Sequence, residues 1–140
     1  MSNPSKQKGT RAETRVARYL TTRGLETTRR ALAGSADEGD LRMLLKDGTE
    51  VTLEVKAGTQ TANYGRALFE KWKNQTIIEG EHAGCTPALI VVRHRRPLAN
   101  AEVWIPGMQW DDDQTKWIPA PRGAWSMMYL DDFVTWLTED

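Results

Sequence analysis

The chain has 140 residues, of which 39% are hydrophobic and 27% charged, and this length is enough for one domain with its own hydrophobic core. The single cysteine, Cys85, excludes an internal disulfide framework, and no apolar run reaches membrane-spanning length. Because no signal peptide is recognisable either, we expect a cytoplasmic protein.

The formal net charge is zero, but the charges are unevenly distributed along the chain. Residues 1–100 contain 17 Lys or Arg and 11 Asp or Glu, whereas residues 101–140 contain 2 and 8, so the two parts carry +6 and −6. A basic part of this kind favours an anionic partner such as a nucleic acid. The alternative is that most of these groups are solvated helix and loop charges.

The hydrophobic periodicity predicts an α/β domain. After residues 1–7, which we expect to be disordered, the predicted elements are a helix over 8–23, a strand over 25–31, hairpin strands over 40–45 and 50–56, a helix over 65–83 and a strand over 87–93. The order of hairpin, crossover helix and strand predicts a mixed central sheet flanked by helices.

Residues 101–140 form a distinct Trp-rich extension. We expect a strand over 102–105, a turn at the acidic run 111–113 and a short helix over 131–137. The acidic run lacks the ligand spacing of a calcium loop, which favours a solvated turn. Five of the six tryptophans lie in this extension. They could stack on unpaired bases, but we favour a core extension or a dimer contact.

The hairpin carries the strongest chemical signal. Apolar and polar residues alternate on both strands, and Lys46-Asp47-Gly48 is a turn signal between them. A three-residue loop pairs Leu45 with Thr49 and therefore places Asp40 opposite Glu54. A two-residue loop would mix the apolar and polar faces, so the hydrophobic pattern favours the register that brings the two acids together.

Two carboxylates held this close repel each other, and a divalent cation relieves the repulsion. Lys56 follows Glu54 by two residues and therefore lies on the same face of the strand. Two acids that hold a metal beside a lysine that faces a phosphate or the attacking water are what a metal-dependent phosphodiesterase requires. The alternative is an ordinary polar face on a surface hairpin.

Glu13 is a candidate third acid. It extends the apolar stripe of the first helix, formed by Val16, Ala17 and Leu20, and should therefore point at the sheet. Thr10-Arg11-Ala12-Glu13 also fits a capping box, in which Glu13 reaches back to the Thr10 amide. The two roles are compatible.

The order of these motifs resembles the archaeal and phage Holliday junction resolvases of the PD-(D/E)XK nuclease superfamily. The matching positions, which fall within residues 8–105, are Lys8-Gly9, Glu13, Gly24-Leu25, Arg29-Arg30, Gly34-Ser35, Gly39-Asp40, Glu54-Val55-Lys56, Gln75, Ala83-Gly84, Pro87 and the strand 88–93. One departure is the loop 36–39, where Asp37 and Glu38 add two acids.

The resemblance implies a restriction-endonuclease-like αβββαβ core and a magnesium-dependent nuclease, with manganese as a substitute, that acts as a homodimer on branched DNA. By motif position, Glu13, Asp40 and Glu54 would be the metal-site acids, joined by the Val55 carbonyl, and Lys56 would be the catalytic lysine. The residues expected to contact DNA are Lys8, Arg11, Arg29, Arg30 and Ser35. If the source is a phage, the protein would work in the host cytoplasm.

Gln75 lies on the face of the second helix that also carries Leu68, Trp72, Ile78 and Glu79. It either approaches the active site or is a core glutamine that is bonded to backbone. For the whole chain, a Holliday junction resolvase is the favoured function. The alternatives are a restriction-like or flap-type endonuclease with the same site, and a non-catalytic DNA-binding protein with a degenerate site.

Overall fold

The computed structural model describes residues 4–30, 39–120 and 123–139, with side chains from Arg11 onward except that of Trp117. The elements in chain order are α1 (Pro4–Thr22), β1 (Glu26–Arg29), β2 (Leu41–Leu44), β3 (Glu50–Lys56), α2 (Arg66–Ala83), β4 (Thr86–Val91), β5 (Glu102–Pro106), β6 (Met108–Asp111), β7 (Lys116–Pro119), β8 (Trp125–Tyr129) and α3 (Leu130–Thr138). Across these ranges no helix combines the length and the apolar character needed to cross a membrane.

Six strands form one mixed sheet in the order β1-β2-β3-β4-β5-β8, and β6 pairs with β7 in a separate hairpin. Only β3 and β4 are parallel neighbours within the six-stranded sheet, and α2 makes the crossover between them. The order α1-β1-β2-β3-α2-β4 is the predicted αβββαβ order. The predicted fold class, a mixed sheet flanked by helices, is therefore confirmed.

The hairpin register is also confirmed. Leu41 pairs with Leu53 and Met43 with Val51, and the Leu45 amide donates to the Thr49 carbonyl at 2.9 Å. One detail differs from the prediction. Strand β2 begins at Leu41, so Asp40 lies in a bend just before the ladder and is not itself a ladder partner of Glu54.

The two faces of the sheet bury different clusters. On one face α1 and α3 cover a large apolar core that includes the β3 residues Val51, Leu53 and Val55. On the other face α2 covers a smaller cluster centred on Trp72. Because side chains alternate along a strand, Thr52, Glu54 and Lys56 face the α2 side.

Helix α1 differs from its prediction in one respect that bears on Glu13. It begins at Pro4, and residues 5–7 lie within it, where disorder was expected. Thr10 is therefore inside the helix. An N-cap residue needs non-helical dihedral angles, so the predicted capping box is wrong and Glu13 is free of that role.

Helix α2 presents a slightly rotated face to the sheet. Trp72 and Glu79 are buried as the predicted stripe requires, but Ile78 is 50% exposed, and Thr76 and Gly80 complete the buried face instead. A Cβ at Gly80 would lie 2.8 Å from the ring of Pro87. The glycine thus allows α2 to pack closely on β4, which rotates Ile78 away from the core.

The carboxy-terminal extension adds strands that the sequence patterns did not predict, namely the β6–β7 hairpin and β8. The acidic run forms a turn, as predicted, in which Asp111 accepts from the amides of Asp113 and Gln114 at 2.9 and 3.2 Å. Three of the tryptophans extend the core: Trp104, Trp125 and Trp136. Trp110, in contrast, is 47% exposed.

Candidate active site

Asp40 is fixed by the backbone on both sides of it. Its amide donates to the Leu53 carbonyl at 3.0 Å, and its carbonyl accepts from the Arg30 amide at 2.9 Å. Its carboxylate oxygen Oδ2 accepts from the Val55 amide at 2.9 Å. The chain therefore aims this side chain along β3, towards Glu54 and Val55.

Gly39 makes this arrangement possible. Its φ of +94° favours glycine, and a Cβ would lie 2.6 Å from Thr52 Oγ1 and 3.5 Å from Glu79 Oε2. A side chain at this position would therefore displace either β3 or the approach of the chain to Asp40. The Gly-Asp pair of the sequence motif thus has a steric basis in this structure.

Glu54 is almost completely buried, with 4% exposure. Its Oε1 lies 3.2 Å from Lys56 Nζ, and its carboxyl group lies against those of Asp40 and Glu79. The buried Glu54 Oε2 has no hydrogen-bond partner among the described residues. Two ionised carboxylates cannot hydrogen-bond to each other, so this oxygen gains a partner only if it shares a proton with a neighbouring acid.

The pKa values of both acids reflect this crowding. Burial, followed by the charge of Glu54, raises the pKa of Asp40 to about 8, while the Val55 amide opposes the rise. Burial, followed by hydrogen bonding and charge repulsion from Glu79, raises the pKa of Glu54 to about 8, while the charge of Lys56 opposes it. Both carboxyl groups therefore hold protons more tightly than exposed acids do, and a cation would compete with those protons.

Lys56 lies at the solvent side of this group, with 17% of its side chain exposed. Its Nζ donates to Gln75 Oε1 at 3.0 Å and lies 3.2 Å from Glu54 Oε1. An ammonium group has three hydrogens, so one remains for a substrate. Gln75 thus approaches the site through the lysine, which is one of the two alternatives that the sequence left open.

Glu79 is the residue at the site to which the sequence patterns assigned no role. It is 1% exposed on α2, and its carboxyl group contacts that of Glu54. Its position, four residues after Gln75 and seven after Trp72, places it on the buried helix face. The sequence signal that could have identified Glu79 is a glutamate on the buried face of the helix. Its closeness to Glu54, however, depends on how α2 docks on the sheet.

Glu13 is close to the site without joining the two acids. Its Oε2 accepts from Arg29 Nε at 3.1 Å, and its charge contributes to the raised pKa of Asp40. Helix α1 packs on the opposite face of the sheet from Glu54. Within the described part of the chain, no three His, Cys, Asp or Glu side chains are arranged so as to hold a metal ion.

The donors at the site fit a hard divalent cation held by two acids and one backbone group. Asp40 and Glu54 supply carboxylate oxygens, and the buried Glu54 Oε2 lacks a hydrogen bond from the described residues. The N–H and C=O groups of one strand residue point to the same side of the strand. Because the Val55 amide donates to Asp40, the Val55 carbonyl also lies on the side of β3 that faces Asp40. Oxygen ligands of this kind suit magnesium.

The residues predicted to contact DNA fall into three groups. Arg30 is engaged within the fold, because its guanidinium contacts Glu50, Thr52 and Cys85 and is only 13% exposed. Arg29 is 49% exposed and pairs with Glu13, and Arg11 is exposed on α1. Outside the described residues or side chains lie Lys8, Ser35, Asp37 and Glu38.

The position of Glu13 leads to a prediction. If the cluster is the nuclease site that the motif order predicts, Glu13→Gln should lower DNA cleavage at least about tenfold, because it removes negative charge beside the acids that would hold the cation. The melting temperature should change little, because the lost ion pair with Arg29 is partly exposed. Arg29→Ala breaks the same pair and leaves the Glu13 charge, so it is the control for the melting temperature. It is not a control for cleavage, because Arg29 is itself an expected DNA contact. Normal cleavage by Glu13→Gln would exclude Glu13 from the site.

Comparison with known proteins adds a structural similarity. The chain is similar to the solved structure of Hjc, a Holliday junction resolvase from the archaeal hyperthermophile Archaeoglobus fulgidus, with 18% identity over 87% of this chain and 77% of that one, and a TM-score of 0.43. No protein-family model matches the sequence, and no curated protein matches it. An overlap this loose assigns neither a family nor a function.

Proposed function

We propose that this protein is a magnesium-dependent endodeoxyribonuclease that acts on branched DNA as a Holliday junction resolvase. The observation that carries the proposal is the cluster formed by Asp40, Glu54 and Lys56. The buried Glu54 and the partly buried Asp40, both with a raised pKa, lie beside a lysine that is held at the surface of the site. Purely structural acids with no ligand to bind would rarely be placed in such mutual repulsion.

In the proposed reaction Asp40, Glu54 and the Val55 carbonyl would hold magnesium, and Glu13, which does not join the two acids, would act through water. When bound, the ion supplies positive charge against the phosphoryl oxygens and lowers the pKa of a water molecule. The Val55 amide orients Asp40 Oδ2, and Lys56 orients Glu54 Oε1. The burial of Glu54 excludes bulk water from one side of the site.

Lys56 has a separate task. Gln75 and Glu54 fix its ammonium group, so its remaining hydrogen points to a substrate phosphate oxygen or to the attacking water. A positive charge held there stabilises the negative charge that develops on the phosphate during hydrolysis. Gln75 positions the lysine and has no direct contact with the reacting atoms in this proposal.

Branched DNA and a homodimer are the finer parts of the proposal. The +6 charge of residues 1–100 suits a polyanionic substrate. A four-way junction is cut symmetrically when two active sites act on opposing strands, as in a twofold dimer. The large hydrophobic side chains of Trp110 and Tyr129, each 47% exposed, provide apolar surface for such a dimer.

A cleavage assay on matched four-way, flap, linear duplex and single-stranded DNA tests the proposal. We expect cutting with magnesium or manganese, none with a chelator, and a preference for the four-way junction. Analytical ultracentrifugation should show a homodimer. A monomer that cuts the linear duplex as well as the junction would indicate a general endonuclease. The nuclease proposal is wrong if all four DNA substrates stay intact with either metal.

A further inference from the structure

A basic groove lies at the end of β3 that carries Lys56, on the side that α1 covers, and has no role in the chemistry proposed above. It is a cavity of about 350 Å³ between α1 and the loop that follows β4. Its lining includes Arg11, Arg15, His94, Arg95 and Arg96. No acidic side chain is among the described residues that line it, so this described lining carries a net positive charge.

Four of its arginines are available to a ligand. Arg11, Arg15, Arg95 and Arg96 are exposed, and within the described ranges their guanidinium groups have no ion pair or hydrogen-bond partner. Arg95 also has a φ of +61°, which is uncommon for a residue with a side chain. Backbone strain of this kind is concentrated at binding and active sites, and here it presents two adjacent arginines.

Arg93 differs from these four because it holds the loop in place. Its Nε lies 3.2 Å from Glu102 Oε2, and its Nη1 donates to the Thr61 carbonyl at 3.1 Å. Its guanidinium group also lies over the Tyr64 ring, 4.8 Å from the ring centre. Arg93 is therefore a structural support, and the free positive charges come from the residues beside it.

Thr61 fixes the wall of the groove. Its fully buried hydroxyl donates to the Val92 carbonyl and accepts from the His94 amide, both at 2.9 Å. The Val92 amide in turn donates to the Lys56 carbonyl at 2.8 Å. The loop that carries the arginines is thus tied to the strand end that carries the lysine, and the groove keeps a fixed position relative to the active site.

We propose that this groove binds backbone phosphates of the DNA strand that is cut, next to the phosphate that is hydrolysed. Ala57 and Gly58, which line the groove, directly follow Lys56, so a strand that leaves the active site in this direction enters it. Unpaired guanidinium groups suit phosphate oxygens because they present several N–H donors in a fixed plane. The choice of DNA as the ligand rests on the proposed function.

The test is the salt dependence of DNA binding, measured with a chelator so that no cleavage occurs. The variant is Arg95→Ala/Arg96→Ala. The control is Lys46→Ala/Lys116→Ala, which removes the same charge from exposed positions outside the groove. For the variant, the slope of log affinity against log salt should be shallower by about 1 for each arginine that contacts a phosphate. The control should keep the wild-type slope.

A second measurement locates the contact. Single uncharged methylphosphonates are placed at successive positions beside the cut site of the wild-type enzyme. At one or two adjoining positions the methylphosphonate should lower the DNA affinity of the wild type. At the same positions it should not lower the affinity of the Arg95→Ala/Arg96→Ala variant any further. Equal losses for both proteins at every position, or a variant slope equal to that of the wild type, would overturn the groove assignment.

The outcomes also separate this inference from the proposed function. If the wild type cuts DNA but the slopes are equal, the groove assignment fails and the nuclease proposal stands. If the wild type binds DNA through the groove but cuts no substrate, the nuclease proposal fails and the groove assignment stands. Circular dichroism of each variant confirms that the fold is retained.

Discussion

Replacing Glu54 with glutamine is expected to lower the rate of DNA cleavage by on the order of 10³-fold or more, with DNA binding nearly unchanged. Glutamine has almost the same shape, so the packing of β3 under α2 survives. What disappears is the negative charge needed to hold a divalent cation opposite Asp40. Asp40→Asn and Lys56→Met should have similar effects on cleavage, because each removes one charge from the same cluster.

A matched control lies on the same strand. Glu50→Gln makes the same chemical change four residues earlier, where Glu50 pairs with Arg30 and Arg42 at the far end of β3. Glu50→Gln should lower the free energy of unfolding somewhat and leave the rate of the catalytic step unchanged. The measurement is single-turnover cleavage of a DNA substrate by each variant at saturating protein. Wild-type rates for Glu54→Gln would refute the assigned site.

The metal-free protein is expected to become less stable as the pH rises from about 5 to 8. The pKa values of Asp40 and Glu54 are raised to about 8 in the fold, from ordinary values of 3.8 and 4.5. Between these limits the folded state binds more protons than the unfolded state, so its stability falls as the pH rises through the folded pKa values. The nearby charges are those of Glu13, Lys56 and Glu79.

The measurement is the melting temperature in chelator between pH 5 and 9.5. The decrease should be on the order of 10 °C or more for a domain of this size, because each raised pKa lowers the stability over about three pH units. Magnesium should raise the melting temperature of the protein more at pH 9 than at pH 6, because at pH 9 it no longer competes with protons for the two carboxylates. The Asp40→Asn/Glu54→Gln double variant should show a flatter profile. A wild-type profile as flat as that of the double variant would contradict the raised pKa values.

The sequence predicted the hairpin well because its information is local. Two-residue periodicity fixes which side chains share a face, and the turn residues at 46–48 fix the loop length, so the pairing of Leu41 with Leu53 followed. The αβββαβ order followed from the same kind of pattern. These features need no knowledge of how distant parts of the chain dock.

The remaining features depend on tertiary packing. The contact between Glu79 and Glu54 is set by the rotation of α2 on the sheet, which also exposes Ile78. The capping box at Thr10 failed because helix formation continues to Pro4, and a four-residue motif does not report where a helix starts. Strand β8 was missed because its pairing with β5 depends on a segment distant in sequence.

The arrangement of the site along the chain has an evolutionary consequence. Except for Glu13, every side chain of the acid and lysine cluster lies between residues 39 and 79, whereas the β6–β7 hairpin and α3 belong to the carboxy-terminal extension. Selection on the chemistry therefore acts on one continuous stretch of the gene. The β6–β7 hairpin lies outside the six-stranded sheet, so insertion or exchange there should leave that stretch in place, whereas β8 and α3 belong to the core around it.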